Sequence, residues 1–429
     1  MENTSLTDIA GEILKSCLEG RRAKSRLVER LVSACLSPDG ETAARAAGVL
    51  FRGLAEPLAD RFEPRLCERY AEIFSEAFAA ASGEWEAERL LARYRRVRRS
   101  RVHDRTASRP EHVIVLSRVT LGADVAVTSV ILDGVRRRFR GAEIWLAGPR
   151  KNWDLFAGDG RMGFLEVVYP RDGTLRERVE AARELRRIVS DPESMVIDPD
   201  SRLTQLGLLP VCEDEDYYFF ESRSYGAEGE DSLRQLAGRW MEETFGISGA
   251  QAYLGPYVRG SRAVREGITV SLGVGGNENK RLPDPFEARL LAGLARLGAP
   301  VVVDKGGGGE EGERVEAAVA ASGAAGRIET WDGSFAGFAG RIARSKLYVG
   351  YDSAGQHVAA AGGTPLVTVF AGYPNERFVC RWKPGGRGRS EVVRAGNRGL
   401  GEILDEALAA AKNCLVGAGG LLIFLNGLF

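Results

Sequence analysis

Between residues 112 and 370, short apolar runs rich in β-branched residues recur, and each is followed by a stretch with helical spacing. Parallel strands need a crossover of a dozen or more residues, usually a helix. They are buried on both faces, so they read as continuous apolar runs. One set comprises HVIVLS (112–117), AEIWLAG (142–148), LEVVYP (165–170), SMVID (194–198) and DYYFFE (216–221). A second comprises GITVSLG (267–273), APVVVDK (299–305), RIETWD (327–332), KLYVGYD (346–352) and TPLVTVF (364–370). The pattern predicts two consecutive α/β domains, each a doubly wound parallel sheet, over 111–260 and 266–412. Such sheets bind ligands beyond the carboxyl ends of their strands, so the expected site is the cleft between the domains.

Residues 1–105 carry almost no strand signal. LTDIAGEILKSCL, KSRLVERLVSACL, ETAARAAGVLFRGLAEPLADRF and CERYAEIFSEAFAAA space their apolar residues for helices, with polar breaks at Ser37–Gly40 and Ser82-Gly83. This helical module ends in RLLARYRRVRRSRVHDR (89–105), which has eight Arg and one Asp. The run suits an anionic membrane surface; equally, its arginines can pair with acidic residues of the fold. The Glu213–Asp216 acidic run reads as a solvated loop. The end of the chain, 413–429, is an apolar tail too short to span a bilayer.

Lys+Arg and Asp+Glu are equal at 59 each, so there is no global positive field of the kind a nucleic-acid packaging protein carries, and no nucleic-acid partner is expected. Six cysteines are scattered without a C-x-x-C pair, and only three histidines occur. That excludes a paired-cysteine zinc or iron–sulfur framework and a disulfide scaffold, and fits a reducing compartment. The N-terminal MENTSLTDIAGEILK lacks the basic-then-apolar order of a secretory signal, and no run of 18 apolar residues occurs. The expectation is a cytoplasmic protein, with peripheral contact at the inner membrane face if the arginine run is used that way.

Four segments can carry chemistry. In KLYVGYDSAGQHVAAAGGTPLVTVF (346–370) a strand ends at Asp352, turns through Ser353-Ala354-Gly355 and restarts as a helix holding His357. The free N–H groups of that first turn suit a diphosphate; a simple N-cap by Asp352 or Ser353 is the plain alternative. In IVLSRVTLGADVAVTS (114–129), Asp124 stands where a strand opens into a helix, as a general base or an N-cap. SLGVGGNENKRLPDPFE (271–287) offers Lys280 in a glycine-rich loop that is not a P-loop. KGGGGEEGER (305–314) offers Glu310 or Glu311 to a ribose or base. The Asp-Pro-Asp at 198–200 has Asp-x-Asp spacing, but a chance match at a strand end is the better reading, and no metal site is expected.

Together these segments resemble family 9 glycosyltransferases, the ADP-heptose:lipopolysaccharide heptosyltransferases and relatives, over roughly 112–412. The likeness is most specific in GYDSAGQHVAAAGGTPLVTVFAG and the later Trp382-Lys383-Pro384. It implies a GT-B fold with the acceptor on the N-terminal lobe and the donor on the C-terminal lobe, and inverting, metal-independent transfer. It makes Asp124 the base. Lys280, Glu310, Asp352, Ser353, Gly355 and His357 become donor-binding residues, the donor being an ADP-linked sugar co-substrate with no further cofactor. The acceptor would be a glycan, lipid-linked or protein hydroxyl. The sequence departs from the family pattern in three places: Ala123 is inserted between Gly122 and Asp124, Ala354 replaces a glycine, and Leu282 replaces an aromatic. The helical module lies outside the resemblance. A non-catalytic nucleotide- or glycan-binding scaffold and a GT-B nucleotide-sugar epimerase are the rival readings.

Overall fold

The structure is a computed structural model that describes residues 5–104, 110–259 and 265–420. Two wholly parallel sheets form two lobes. The first contains β1 (His112–Leu116), β2 (Glu143–Gly148), β3 (Met162–Glu166), β4 (Ser194–Asp198) and β5 (Tyr217–Phe219) in the order β3-β2-β1-β4-β5. The second contains β6 (Ile268–Ser271), β7 (Val301–Asp304), β8 (Ile328–Trp331), β9 (Leu347–Tyr351), β10 (Leu366–Phe370) and β11 (Ser390–Arg394) in the order β11-β10-β9-β6-β7-β8. Each order reverses once, between β1 and β4 and between β6 and β9, and such switch points open the ligand crevice of a doubly wound sheet. This is the expected GT-B arrangement.

Three local expectations shift. The strand expected at 165–170 is Met162–Glu166, because Trp145 of β2 lies against Gly163 and sets the register, while Pro170 cannot donate to a ladder. The helix expected from 313 starts at Gly309, since Gly306, Gly308 and Gly309 all take positive φ and complete the turn early. The helix Glu376–Trp382 and the strand β11 went unpredicted; SEVVR alternates weakly, as an edge strand does.

The N-terminal module is helical throughout: Leu6–Leu18, Ser25–Cys35, Gly40–Leu50, Glu56–Ala59, Pro64–Ser82 and Ala87–Val97, with a π-helical turn at Phe51–Ala55. Its boundary in sequence is not a boundary in packing. Ile9, Leu31, Leu50, Phe74 and Tyr94 share one core with Ile114 and Leu116 of β1 and Val196 of β4. The alternate residues Val113 and Val115 face the opposite core, which runs on through Val125, Val127 and Ile131 to Phe338, Tyr348, Val358 and Phe378 of the second lobe. One apolar body therefore crosses between the lobes. The final helix, Leu400–Gly420, covers the outer face of the second sheet through Ile403, Ala407, Ala411 and Cys414. It absorbs the start of the expected tail, and 421–429 lie outside the described residues. Among the described residues, no helix is long and apolar enough to cross a membrane.

Within the arginine run Arg93 is buried and Arg98 half-buried, whereas Arg89, Arg95, Arg96, Arg99 and Arg101 are exposed. Arg93 and Arg96 pair with Asp214, Arg95 with Glu68, and Arg98 with Glu221 at 2.8 Å. Asp214 is thus a partner of the run and not a member of a merely solvated loop. Glu221 is the hub: it is 4 % exposed, accepts from Tyr94 and Arg98, and lies 3.7 Å from Arg223, itself paired with Asp200 at 3.1 Å. Breaking one partner of a buried ion pair leaves an uncompensated charge, at a cost of about 3–5 kcal/mol. Glu221→Ala should therefore cost about 3 kcal/mol or more in urea unfolding. A cost below about 1 kcal/mol would show that the module docks through its apolar core alone.

Candidate functional site

The strand β1 runs into a tight turn, Ser117–Thr120, in which Val119 has φ +70°. A β-branched residue in the left-handed region is strained, and such strain collects where a fold must hold an unusual geometry. The helix that follows is α-helical at Leu121–Ala123, π-helical at Asp124–Thr128 and α-helical again at Ser129–Arg138. A π-turn winds one extra residue into a helix.

The Asp124 carboxylate is 0 % exposed and held by four donors. Oδ1 accepts from the Arg118 amide (2.6 Å) and Thr128 Oγ1 (2.6 Å), and Oδ2 from Ser117 Oγ (2.5 Å) and Asn152 Nδ2 (2.5 Å). Burial raises its pKa, and these hydrogen bonds oppose the rise without cancelling it. Here Asp124 ties the end of β1 to the loop after β2. Next to it, Arg118 donates to the Pro199 carbonyl (2.6 Å) and Ser222 Oγ (2.8 Å), and burial lowers its pKa. Both acids of the Asp-x-Asp are also engaged: Asp198 by Ser201, Thr204 and Tyr217, and Asp200 by Ser222 and Arg223. Among the described residues, no group of three or more potential metal ligands occurs.

Across the cleft, β6 leads into a loop whose one-turn helix Glu278–Lys280 starts at Asn277. Arg281 anchors it by donating to the Leu272 carbonyl (3.0 Å) and pairing with buried Glu287 (2.7 Å). Lys280 Nζ is thereby aimed at Asp352 Oδ2, 2.6 Å away, at the end of β9. The helix Ala354–Gly362 begins there, and Ser353 makes no capping bond; its Oγ is buried and unpartnered. The N-cap alternative is therefore not what this turn does, and the first N–H groups of the helix stay open. Gly355 is required, since a Cβ there would come within 2.2 Å of the Tyr348 hydroxyl. His357 is buried beside Gln356 and Trp382, and burial holds its pKa down at about 4, so the ring is neutral near pH 7. The expected Glu310 is exposed on the first turn of its helix. Its neighbour Glu311 instead folds back to accept from the Gly307 amide (3.2 Å), over the ends of β6 and β7.

The two switch points meet. A Cβ on Gly122 would lie 3.0 Å from Ala354 Cα and 3.2 Å from His357 Cδ2, so the first lobe's helix start rests on the second lobe's turn. A third element reaches the same place, unforeseen from the sequence: the loop Asp60–Glu63 of the helical module. The Arg61 and Phe62 carbonyls accept from Asn375 (3.3 Å) and Arg377 (3.0 Å), and the Phe62 ring contacts Phe378 and Trp382. The legible signal was Glu63-Pro64: a residue before proline is driven out of the helical region.

Residues 326–386 match the model of the family described as glycosyltransferase family 9 (heptosyltransferase). No curated protein matches the chain. Among solved structures, the glycosyl transferase family 9 protein of Veillonella parvula is similar over 72% of this chain and 97% of its own, with 16% identity and a TM-score of 0.53. The E. coli heptosyltransferase WaaC, solved with ADP-2-deoxy-2-fluoro heptose, is similar over 70% and 98%, with 15% identity and a TM-score of 0.52. E. coli ADP-heptose LPS heptosyltransferase II is similar over 72% and 98%, with 16% identity and a TM-score of 0.50. The family 9 match thus runs from β8 to the segment after Trp382, and the two lobes share the GT-B fold of these solved structures, with a helical module added at the N-terminus.

Proposed function

We propose that the protein transfers a sugar, of the heptose class, from an ADP-linked donor to a hydroxyl of a glycan, lipid-linked or protein acceptor, with inversion and without a metal. The observation that carries this reading is the uncapped helix start at Ser353–Gly355 beside Lys280. Open N–H groups and the positive end of a helix dipole suit a diphosphate, and the lysine adds a full positive charge. Such preorganised donors stabilise the charge that develops as the sugar–phosphate bond breaks. His357, neutral, contributes a hydrogen bond rather than a charge. Glu311, over the ends of β6 and β7, takes the place proposed for Glu310 as the group reaching the nucleoside. The first lobe presents the acceptor, whose hydroxyl displaces the diphosphate in one step, hence inversion. Arg93, Arg95, Arg96 and Arg98 pair within the fold, while Arg89, Arg95, Arg96, Arg99 and Arg101 are exposed and leave a basic face open to an anionic surface.

A thermal-shift comparison of ADP, GDP, UDP and CDP tests the donor class. ADP at a hundred times its Kd should stabilise the protein by about 2.7 kcal/mol. Stabilisation by UDP alone would point to the epimerase reading. Lys280→Ala should weaken ADP binding roughly ten- to a hundredfold in calorimetry, the range for a lost charge-assisted hydrogen bond. Unchanged affinity in the folded variant would make the Lys280–Asp352 pair structural.

Transfer should also be unaffected by EDTA. Activity lost to EDTA and restored by Mn²⁺ or Mg²⁺ would overturn the metal-independent reading.

A further inference from the structure

Phe62 packs differently from its neighbours in the helical module. Leu58 and Leu66, on either side, belong to the core shared with the first sheet, whereas Phe62, 2 % exposed, belongs to the core that crosses between the lobes. Its φ of +55° is unfavourable for an aromatic residue, so its surroundings must hold it there. The Phe62 carbonyl accepts from Arg377 Nη1 (3.0 Å), and the Arg61 carbonyl from Asn375 Nδ2 (3.3 Å). The same Asn375 side chain caps the helix Glu376–Trp382, its Oδ1 accepting from the Phe378 amide (2.9 Å). The loop therefore grips that helix at its first turn. The Phe62 ring then lies against two of its aromatic residues, Phe378 at 6.4 Å and Trp382 at 6.3 Å between centroids.

Each of those two rings also meets a residue proposed for the donor. Lys280 Nζ stands 5.0 Å from the Phe378 centroid, a cation over a ring face. Trp382 lies 5.7 Å from the His357 ring, and its carbonyl accepts from Gln356 Nε2 (3.4 Å), which also donates to Asp352. One phenyl ring of the module thus borders both rings that border Lys280 and His357. A lysine ammonium on its four-carbon stem has many rotamers, and the packing around it decides which one a ligand meets. Asp352 holds the Lys280 ammonium from one partner atom, and the Phe378 face supplies a second restraint.

Resting on the donor reading above, we propose that Phe62 is a positioning residue for the donor: it holds Phe378 and Trp382, and through them the Lys280 ammonium and the His357 ring, in the arrangement that receives the diphosphate. The helical module then belongs to the donor site without supplying a group to the donor. It acts by preorganisation, since the ordering of Lys280 and His357 is complete in the folded chain and is not charged against binding. Removing the Phe62 ring leaves Lys280 its charge and its Asp352 partner, so the effect is smaller than the loss of Lys280 itself.

The test uses the full chain and two readouts, one of them without a ligand. In amide hydrogen exchange, Phe62→Ala should speed exchange in Glu278–Arg281 and in the helix Ala354–Gly362, whereas Ile13→Ala, which opens a cavity in the first core, should not. In calorimetry, Phe62→Ala should raise the ADP Kd roughly threefold to tenfold, the worth of one aromatic contact, and Phe62→Leu should recover part of the loss. Ile13→Ala, at a comparable fall in melting temperature, should keep the Kd within about twofold of wild type. In a Lys280→Ala background the effect of Phe62→Ala should shrink, because part of it runs through Lys280. Where the wild type binds ADP, an unchanged Kd in Phe62→Ala, or an equal weakening by Ile13→Ala, overturns the proposal. A wild type that binds none of ADP, GDP, UDP and CDP overturns the donor reading instead, and the exchange comparison, which needs no nucleotide, still decides whether Phe62 holds the turn.

Discussion

Backbone lies almost against backbone where Gly122 meets Ala354, and the rest of the site follows from that approach. A Cβ at 122 would stand 3.0 Å from Ala354 Cα, closer than real side chains pack. Because Gly122 follows β1 and Ala354 follows β9, the contact brings the two switch points of separate sheets face to face. It also joins the apolar residues on either side, Val125 and Ala126 with Val358 and Ala359, into one core. The helix that starts uncapped at Ser353 is thus also half of the interlobe packing. Interiors of this density transmit displacement rather than absorbing it, so a shift of that helix start acts directly on the first lobe.

The Asp124 carboxylate organises the end of β1. Its helix takes a π-turn over Asp124–Thr128, and the carboxylate lies among Ser117, Arg118, Thr128 and Asn152. Four donors around one buried carboxylate fix the strained Ser117–Thr120 turn. The same network sets the position of Arg118, whose guanidinium reaches across to Pro199 and Ser222 beyond β4.

The sheets were legible because parallel strands must be apolar throughout, and nearly every run of that kind became a strand. Lys280, Asp352, Ser353 and His357 were legible because strand-to-helix turns at switch points leave backbone donors open, and the structure brings those four together. What the sequence hid is contact between parts far apart in the chain. Glu310 and Glu311 look alike in GGGGEEGER; only the early helix start, forced by positive-φ glycines, turns Glu311 inward and Glu310 out. The ion pairs of the arginine run could not be read because its partners Glu68, Asp214 and Glu221 lie elsewhere in the sequence. The loop Asp60–Glu63, whose Arg61 and Phe62 reach the second lobe, was invisible within an apparently continuous helical pattern, ended only by the residue before Pro64.

The module's two attachments differ in kind. Towards the first lobe it is held by a shared core and by the Glu221–Arg98–Arg223–Asp200 charges. Towards the second lobe the Arg61 and Phe62 carbonyls accept from Asn375 and Arg377, and the Phe62 ring packs against Phe378 and Trp382 in the core that crosses between the lobes. One segment of the helical module therefore bridges both sheets beside the helix start at Ser353, and its docking on the first sheet fixes where that bridge falls.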